Sequence, residues 1–251
     1  MTQNAYSLSG KVAVIFGGTG GIGSATASAL AQAGARIALV GGTDLAKAKA
    51  VADALPGEGH RAYVADIART AQVEKVAADV EADFGRTDIL VNGAGVTKAV
   101  PHADLASLDD DTIDLLMAHN VRAPFAAVRA FERLLRAHQD GLVVNISSIA
   151  ATTAVGSNIA YCAAKAGMDT MGSALARALA PDVRVLSVSP GAVATGFVPG
   201  RDKAASDKIA ATTPLGRVAA PEDVAQAVLA CASQLRFSTG SVIQVDGGRH
   251  L

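Results

Sequence analysis

Tryptophan is absent and aromatic residues make up only 4% of the 251-residue chain, so no large aromatic cluster anchors a core or a stacking surface. Half the residues are hydrophobic, and Ala, Val, Leu and Ile must fill the interior. Cysteine is almost as scarce. Cys162 and Cys231 are far apart and form no CxxC pair, which argues against a disulfide scaffold or a zinc ribbon and fits a reducing, cytoplasmic setting. Charge of one sign is lacking too. Lys plus Arg number 22 against 23 Asp plus Glu, so there is neither the basic footprint of a nucleic-acid binder nor a polybasic membrane patch. No apolar run reaches the roughly 18 residues that a membrane span needs. The first ten residues are polar and hold no apolar stretch of the kind found in signal peptides. The five histidines, His60, His102, His119, His138 and His250, make no HxH or HExxH ligand pattern. A charged fraction of 18% and a mean hydropathy of +0.32 exclude global disorder.

What is present is an alternation of strand-like and helix-like patterns from end to end. Short β-branched runs fall at 11–16, 36–40, 61–65, 88–91, 142–146, 183–188 and 241–245. Helical spacing fills 22–33, 44–55, 70–84, 105–137 (with Pro124 as a kink or break), 158–180 and 221–233. Gly34 and Pro181 stop the helices before them, Pro221 suits a first turn, and Thr43 is positioned to cap the second helix. The stretch 195–220 is irregular. Continuous apolar strands separated by helices imply one α/β domain over residues 1–251, with a mostly parallel, seven-stranded, doubly wound sheet covered on both faces.

The first strand runs into Gly17-Gly18-Thr19-Gly20-Gly21-Ile22-Gly23, and a helix follows. Such a turn lets the backbone approach a diphosphate, and the helix offers free N–H donors and a positive dipole end. The Gly17-x-x-x-Gly21-x-Gly23 spacing is one residue longer than GxGxxG. An acid at the end of the second strand would read the ribose diol of NAD. Gly41, Gly42 and Thr43 stand there instead, which leaves room for a 2′-phosphate and favours NADP(H), with Lys47 one turn on. Asp44 reaching back to the ribose is the alternative that keeps NAD(H) open.

Tyr161 and Lys165 are four apart on one helix face, and Ser148 follows the fifth strand. A phenol ordinarily ionises near pH ~10, but a nearby ammonium favours phenolate and fits it for proton exchange with a carbonyl or hydroxyl. The serine hydroxyl could hold the same oxygen. Serine and glycine turn both sit at strand C-termini, the ligand edge of open parallel sheets.

Over its whole length the chain resembles the short-chain dehydrogenase/reductase family, a Rossmann-type fold. The match is carried by the glycine motif, Asp66, Asn92-Gly93-Ala94-Gly95, Asn120, Ser148, Tyr161-x-x-x-Lys165, Pro190-Gly191 and Val245-Asp246-Gly247-Gly248. The resemblance implies Tyr161 as acid/base and Lys165 lowering its pKa while bonding the nicotinamide ribose. It implies Ser148 orienting the carbonyl and Asn120 holding Lys165 through a water. Asp66 and Ile67 would flank adenine, Asn92, Ala94 and Gly95 would line the ribose side, and Pro190, Gly191, Val193 and Thr195 would border the nicotinamide. No metal is implied. Two departures stand out, Phe16 where the family has Thr and Gly93 where it has Asn. The implied activity is interconversion of a ketone and a secondary alcohol, most like a 3-oxoacyl-thioester or ketone reductase acting on a small molecule or an acyl thioester. An NAD-dependent alcohol, sugar or polyol dehydrogenase is the alternative. A non-catalytic dinucleotide sensor is the remote one, which loss of Tyr161 or Lys165 would have supported. A homotetramer and a substrate lid at 196–213 are expected.

Overall fold

The computed structural model describes residues 7–198 and 202–251. Seven strands form one sheet: β1 (Val12–Phe16), β2 (Arg36–Gly41), β3 (Arg61–Val64), β4 (Ile89–Asn92), β5 (Gly141–Ile146), β6 (Val183–Pro190) and β7 (Val242–Val245). Their order is β3-β2-β1-β4-β5-β6-β7, and every pair is parallel. The helices are α1 (Gly21–Gln32), α2 (Leu45–Asp53), α3 (Thr70–Phe84), α4 (Asp110–Met117), α5 (Ala123–Arg136), α6 (Ala150–Thr153), α7 (Ile159–Leu179), α8 (Lys203–Ala211) and α9 (Pro221–Ser233).

Strand alternation divides the core into two layers. Ala13 and Ile15 pack with Leu30, Ile37, Leu39, Val224 and Val228 on the α1/α9 side. Val14 and Phe16 pack with Val40, Val73, Val76, Phe131 and Leu135 on the α3/α5 side. With so few aromatics, the edge-to-face pair Phe16–Phe131, 6.1 Å between centroids, is a local exception. The strand order reverses direction between β1 and β4, which opens a crevice above the C-terminal strand ends.

Four expectations change in detail. The helix expected at 105–137 starts only at Asp110, because Asp109 caps it by accepting the Thr112 N–H at 2.8 Å. Pro124 does not break it. A π-helical segment, Ala118–Arg122, precedes α5, and Pro124 sits in the first turn of α5. The wider turn absorbs the missing proline N–H. Asp44, not Thr43, caps α2, accepting the Lys47 N–H at 2.9 Å. The irregular stretch 195–220 contains α8, capped by Asp202 and with no buried residue. Of the lid expected at 196–213, residues 199–201 lie outside the described residues.

Candidate active site

The glycine turn is shaped by close approach. Gly17 has φ +78, and a Cβ there would lie 2.7 Å from the Ala94 nitrogen. A Cβ on Gly23 would come within 2.1 Å of the Gly17 carbonyl oxygen, so α1 rests directly on the turn. The α1 N-terminus has Gly20 as cap, no side-chain bond to its amides and no acid in its first turn. Those donors are left for a ligand. Thr195 closes over the same end, with its methyl 2.7 Å from where a Gly21 Cβ would lie. Ile22 packs against the α1/α9 layer behind. Thr19 stands beside the end of β2, its methyl 3.1 Å from a Cβ built on Gly41, whereas a Cβ on Gly42 meets nothing within 4 Å.

The remaining expected cofactor residues fall on the same edge. Asp66 and Ile67 follow β3. The Asp66 carboxylate accepts the Ala68 N–H at 3.0 Å and pairs with Arg69, and Ile67 packs on the α3/α5 layer. Asn92 ends β4 and is tied to Asn145 of β5 through its amide at 2.9 Å, and Ala94 and Gly95 continue from it. Pro190 ends β6, Gly191 donates to the Val245 carbonyl at 3.1 Å, and Val193 pairs with Ala219 to turn the chain back toward Thr195. The departures Phe16 and Gly93 prove to be neighbours. Gly93 donates its N–H to the Phe16 carbonyl at 3.0 Å, so backbone pairing joins the two positions while the Phe16 ring turns away into the core.

Tyr161 and Lys165 are both buried near the start of α7. The Lys165 Nζ lies 5.7 Å from the Tyr161 ring centroid and donates to the Ile146 carbonyl at 2.8 Å. Only 4% of Lys165 is exposed. Burial drives its pKa down to about 8, partly offset by the charge of Asp169. Asn120 sits in the π-helical segment, a local widening often found at functional sites. Its amide donates to the Val96 and Leu116 carbonyls, at 3.0 and 2.9 Å, but its buried Oδ1 has no partner among the described residues. A Cβ on Gly95 would lie 2.7 Å from that oxygen and 3.9 Å from Lys165 Nζ, so glycine is what lets the chain pass this close to both. Ser148, half-buried just past β5, accepts the Ala150 N–H at 3.2 Å.

These observations fit a dinucleotide: unfilled helix amides, a turn without side chains, and an orphaned polar atom beside a buried lysine. Among the described residues no group of three His, Cys, Asp or Glu could hold a metal ion. Cys162 and Cys231 are buried, and burial pushes both thiols up, away from reactive thiolate.

Two neighbours were not singled out from the sequence. Phe197 lies against Tyr161, with centroids 6.2 Å apart. Asn158, fully buried, caps α7 by accepting the Tyr161 N–H at 2.7 Å and donates to the Lys98 carbonyl at 2.7 Å. One side chain thus fixes the start of α7 to the loop that follows β4. Asn158→Ala is expected to lower thermal stability by about 1–2 kcal/mol as the cap is lost. It should also reduce kcat more than dinucleotide affinity. An unchanged kcat in steady-state assays would count against this positioning role.

The family model described as Enoyl-(Acyl carrier protein) reductase matches residues 17–250. A protein named as ketoacyl reductase 2 of the granaticin polyketide synthase, from Streptomyces violaceoruber, is 36% identical over 96% of both chains. D-threitol dehydrogenase from Mycolicibacterium smegmatis is 37% identical over 97% of this chain and 94% of that one. Among solved structures, a short-chain dehydrogenase/reductase from Brucella melitensis titled glucose/ribitol dehydrogenase superposes with a TM-score of 0.90 at 31% identity, covering 97% of this chain and 98% of that one.

Proposed function

The chain belongs to the short-chain dehydrogenase/reductase family, and from that premise we propose how its own residues interconvert a ketone and a secondary alcohol with NAD(P)(H). The observation that carries the reading is the buried Lys165 ammonium 5.7 Å from the Tyr161 ring, beside the unpaired Asn120 Oδ1. A nicotinamide dinucleotide, when bound, supplies or accepts the hydride. Gly17, Thr19, Gly20, Gly21, Ile22 and Gly23 would hold the diphosphate; Asp66 and Ile67 the adenine; Asn92, Ala94 and Gly95 the ribose side; and Pro190, Gly191, Val193 and Thr195 the nicotinamide. Tyr161 gives its phenolic proton to the substrate oxygen in reduction and takes it back in oxidation. Lys165 favours the phenolate by its charge and would bond the nicotinamide ribose. Ser148 holds the same substrate oxygen. Asn120 holds Lys165 in a proton path beside Gly95.

The cofactor we favour is NADP(H). Gly42 faces open space, and Asp44 is committed to capping α2, so no carboxylate meets a 2′-phosphate at the end of β2. Thr43, Lys47 and Gly41 are left to receive it. Separate fluorescence titrations with NADPH and NADH test this, and preference for NADH would overturn it. The matching variant is Gly42→Asp. It is expected to weaken NADPH binding by about 30-fold, since opposed like charges cost roughly 2 kcal/mol or more, while NADH binding holds or improves.

For substrate we favour a ketone or 3-oxoacyl thioester. Tyr161 shares a small apolar cluster with Leu116, Ala150, Ala160 and Cys162, Val96 packs against that cluster, and Phe197 lies against the Tyr161 ring. Ser148 aside, hydroxyls close in sequence to these residues are engaged within the protein: Thr152 and Thr153 donate to the Ile149 carbonyl, and Thr97 bonds Ser157. A polyol would want free donors and acceptors here. The threitol dehydrogenase relative is what favours the second reading, an NAD-dependent polyol dehydrogenase. Reduction of a ketone and thioester panel against oxidation of a polyol panel separates the two. Loss of all turnover alongside tight dinucleotide binding would point to a sensor.

Phe197, at one end of 196–213, and α8, which has no fully buried residue, support a lid there. Exposed Leu115, Met117 and Phe125 on the α4–α5 stretch, and Phe237 and Val242 near the last strand, support a homotetramer. A cytoplasmic site of action is consistent with two unpaired cysteines, and none of the described helices is long and apolar enough to cross a membrane.

A further inference from the structure

The helix that carries Tyr161 and Lys165 brings one more ionisable group to the same face. Asp169 lies four residues after Lys165, so the two side chains leave α7 in line. Both Asp169 oxygens are shut off from solvent. The hydroxyls of Ser147, just past β5, and Ser187, in β6, are near enough to ease the ionised form, yet neither completes a well-formed hydrogen bond to it. The net effect of burial is to raise the Asp169 pKa.

Such a carboxylate is costly unless it answers a charge. Among the described residues, Lys165 is the cation that acts on it, and Asp169 is the charge that acts on Lys165. The other groups packed around the pair are uncharged. They are the Ile146 carbonyl and Ser147 from the β5 end, Ser187 from β6, Asn120 from the π-helical segment, and Tyr161 and Met168 on α7 itself. No ion pair closes between the two. Lys165 Nζ bonds the Ile146 carbonyl instead, so the carboxylate works through space and leaves the amine directed at its catalytic neighbours.

We propose that Asp169 is a positioning residue for the reaction, a buried counter-charge that keeps Lys165 an ammonium beneath Tyr161. The proposal rests on Tyr161 and Lys165 acting as described above. Without the carboxylate, burial acts on Lys165 unopposed, and its proton is lost at lower pH. A neutral Lys165 no longer favours the phenolate. Alcohol oxidation then fails on its alkaline side earlier.

The test is an NMR titration of the Lys165 ε-carbon in the cofactor-free protein, wild type against Asp169→Asn. The wild-type midpoint, about 8, is expected to fall by about one pH unit in the variant. The descending limb of the alcohol-oxidation pH profile should move with it, a change that mere loosening of the helix would not produce. A midpoint shared by the two proteins overturns the proposal. If Asp169→Asn does not fold, the coupling is read from the other side. Lys165→Met should raise the Asp169 carboxyl midpoint by the same amount, since coupling is reciprocal, and an unmoved Asp169 midpoint also overturns the proposal. A wild-type protein without ketone or alcohol turnover would defeat the functional reading and leave these titrations standing. Normal turnover with unmoved midpoints would defeat the role of Asp169 alone.

Discussion

Tyr161→Phe is expected to lower kcat by about 10³-fold, within the range for loss of a general acid or base, with dinucleotide binding nearly unchanged. The reasoning starts from burial. The Tyr161 ring packs in a small apolar cluster with Leu116, Ala150, Ala160 and Cys162, so phenylalanine keeps every packing contact and removes one oxygen. The helix start survives as well, because Asn158 grips the Tyr161 backbone N–H rather than its side chain. Fold and cofactor cradle should therefore be intact. A loss confined to kcat is the signature of an interaction made in the transition state. The measurement is paired: NADPH titration and ketone reduction on the same preparations. A variant retaining a tenth or more of wild-type kcat would show that Tyr161 does not move the proton. A variant that loses cofactor binding in step would show that the phenol acts in binding instead.

Much of this arrangement was legible because it is local. The β1 run from Val12 to Phe16 followed by glycines shows a buried strand meeting a ligand turn, and Tyr161 and Lys165 share a face at any helical register. What was not legible depends on partners distant in sequence. Asn158 stands at the start of the helix read at 158–180 with nothing to single it out, and its bond to the Lys98 carbonyl goes to a loop brought alongside only by the folded sheet. Asp169 lies in the helix read at 158–180, but Ser147, just past β5, and Ser187, in β6, come near it only in the folded chain. The π-helical segment around Asn120 leaves no mark in hydrophobic spacing, and α8 has no fully buried residue, so only a faint apolar stripe announces it. Thr43 and Asp44 are adjacent, equally suitable caps, and only the structure shows which one meets the Lys47 N–H.

Lys165→Met should abolish turnover while making the cofactor-free protein more stable at neutral pH. The ammonium stands in a site that is 4% exposed, and burial takes its pKa from 10.5 to about 8. That shift corresponds to an order-of-magnitude penalty of about 3 kcal/mol for holding the charged form in the fold. The sign follows from proton counting. Below pH 8 the folded and unfolded chains both hold the proton, and the penalty is fully present. Between pH 8 and 10.5 the unfolded chain binds the extra proton, so wild-type stability recovers as pH rises. Methionine has a similar reach and no charge. It gives up the bond to the Ile146 carbonyl, about 1 kcal/mol, whereas the lost attraction to Asp169 is already contained in the net shift. A net gain of about 2 kcal/mol remains at pH 7, or about 4–8 °C in Tm for a chain of this size. The gain should shrink as pH climbs toward 10, and thermal melts at fixed protein concentration across that window will follow it. A Lys165→Met protein that melts below wild type at pH 7 would mean that the amine stabilises the fold. The opposite result would mean that the chain keeps a destabilising charge in its core because the phenol above it cannot work without one.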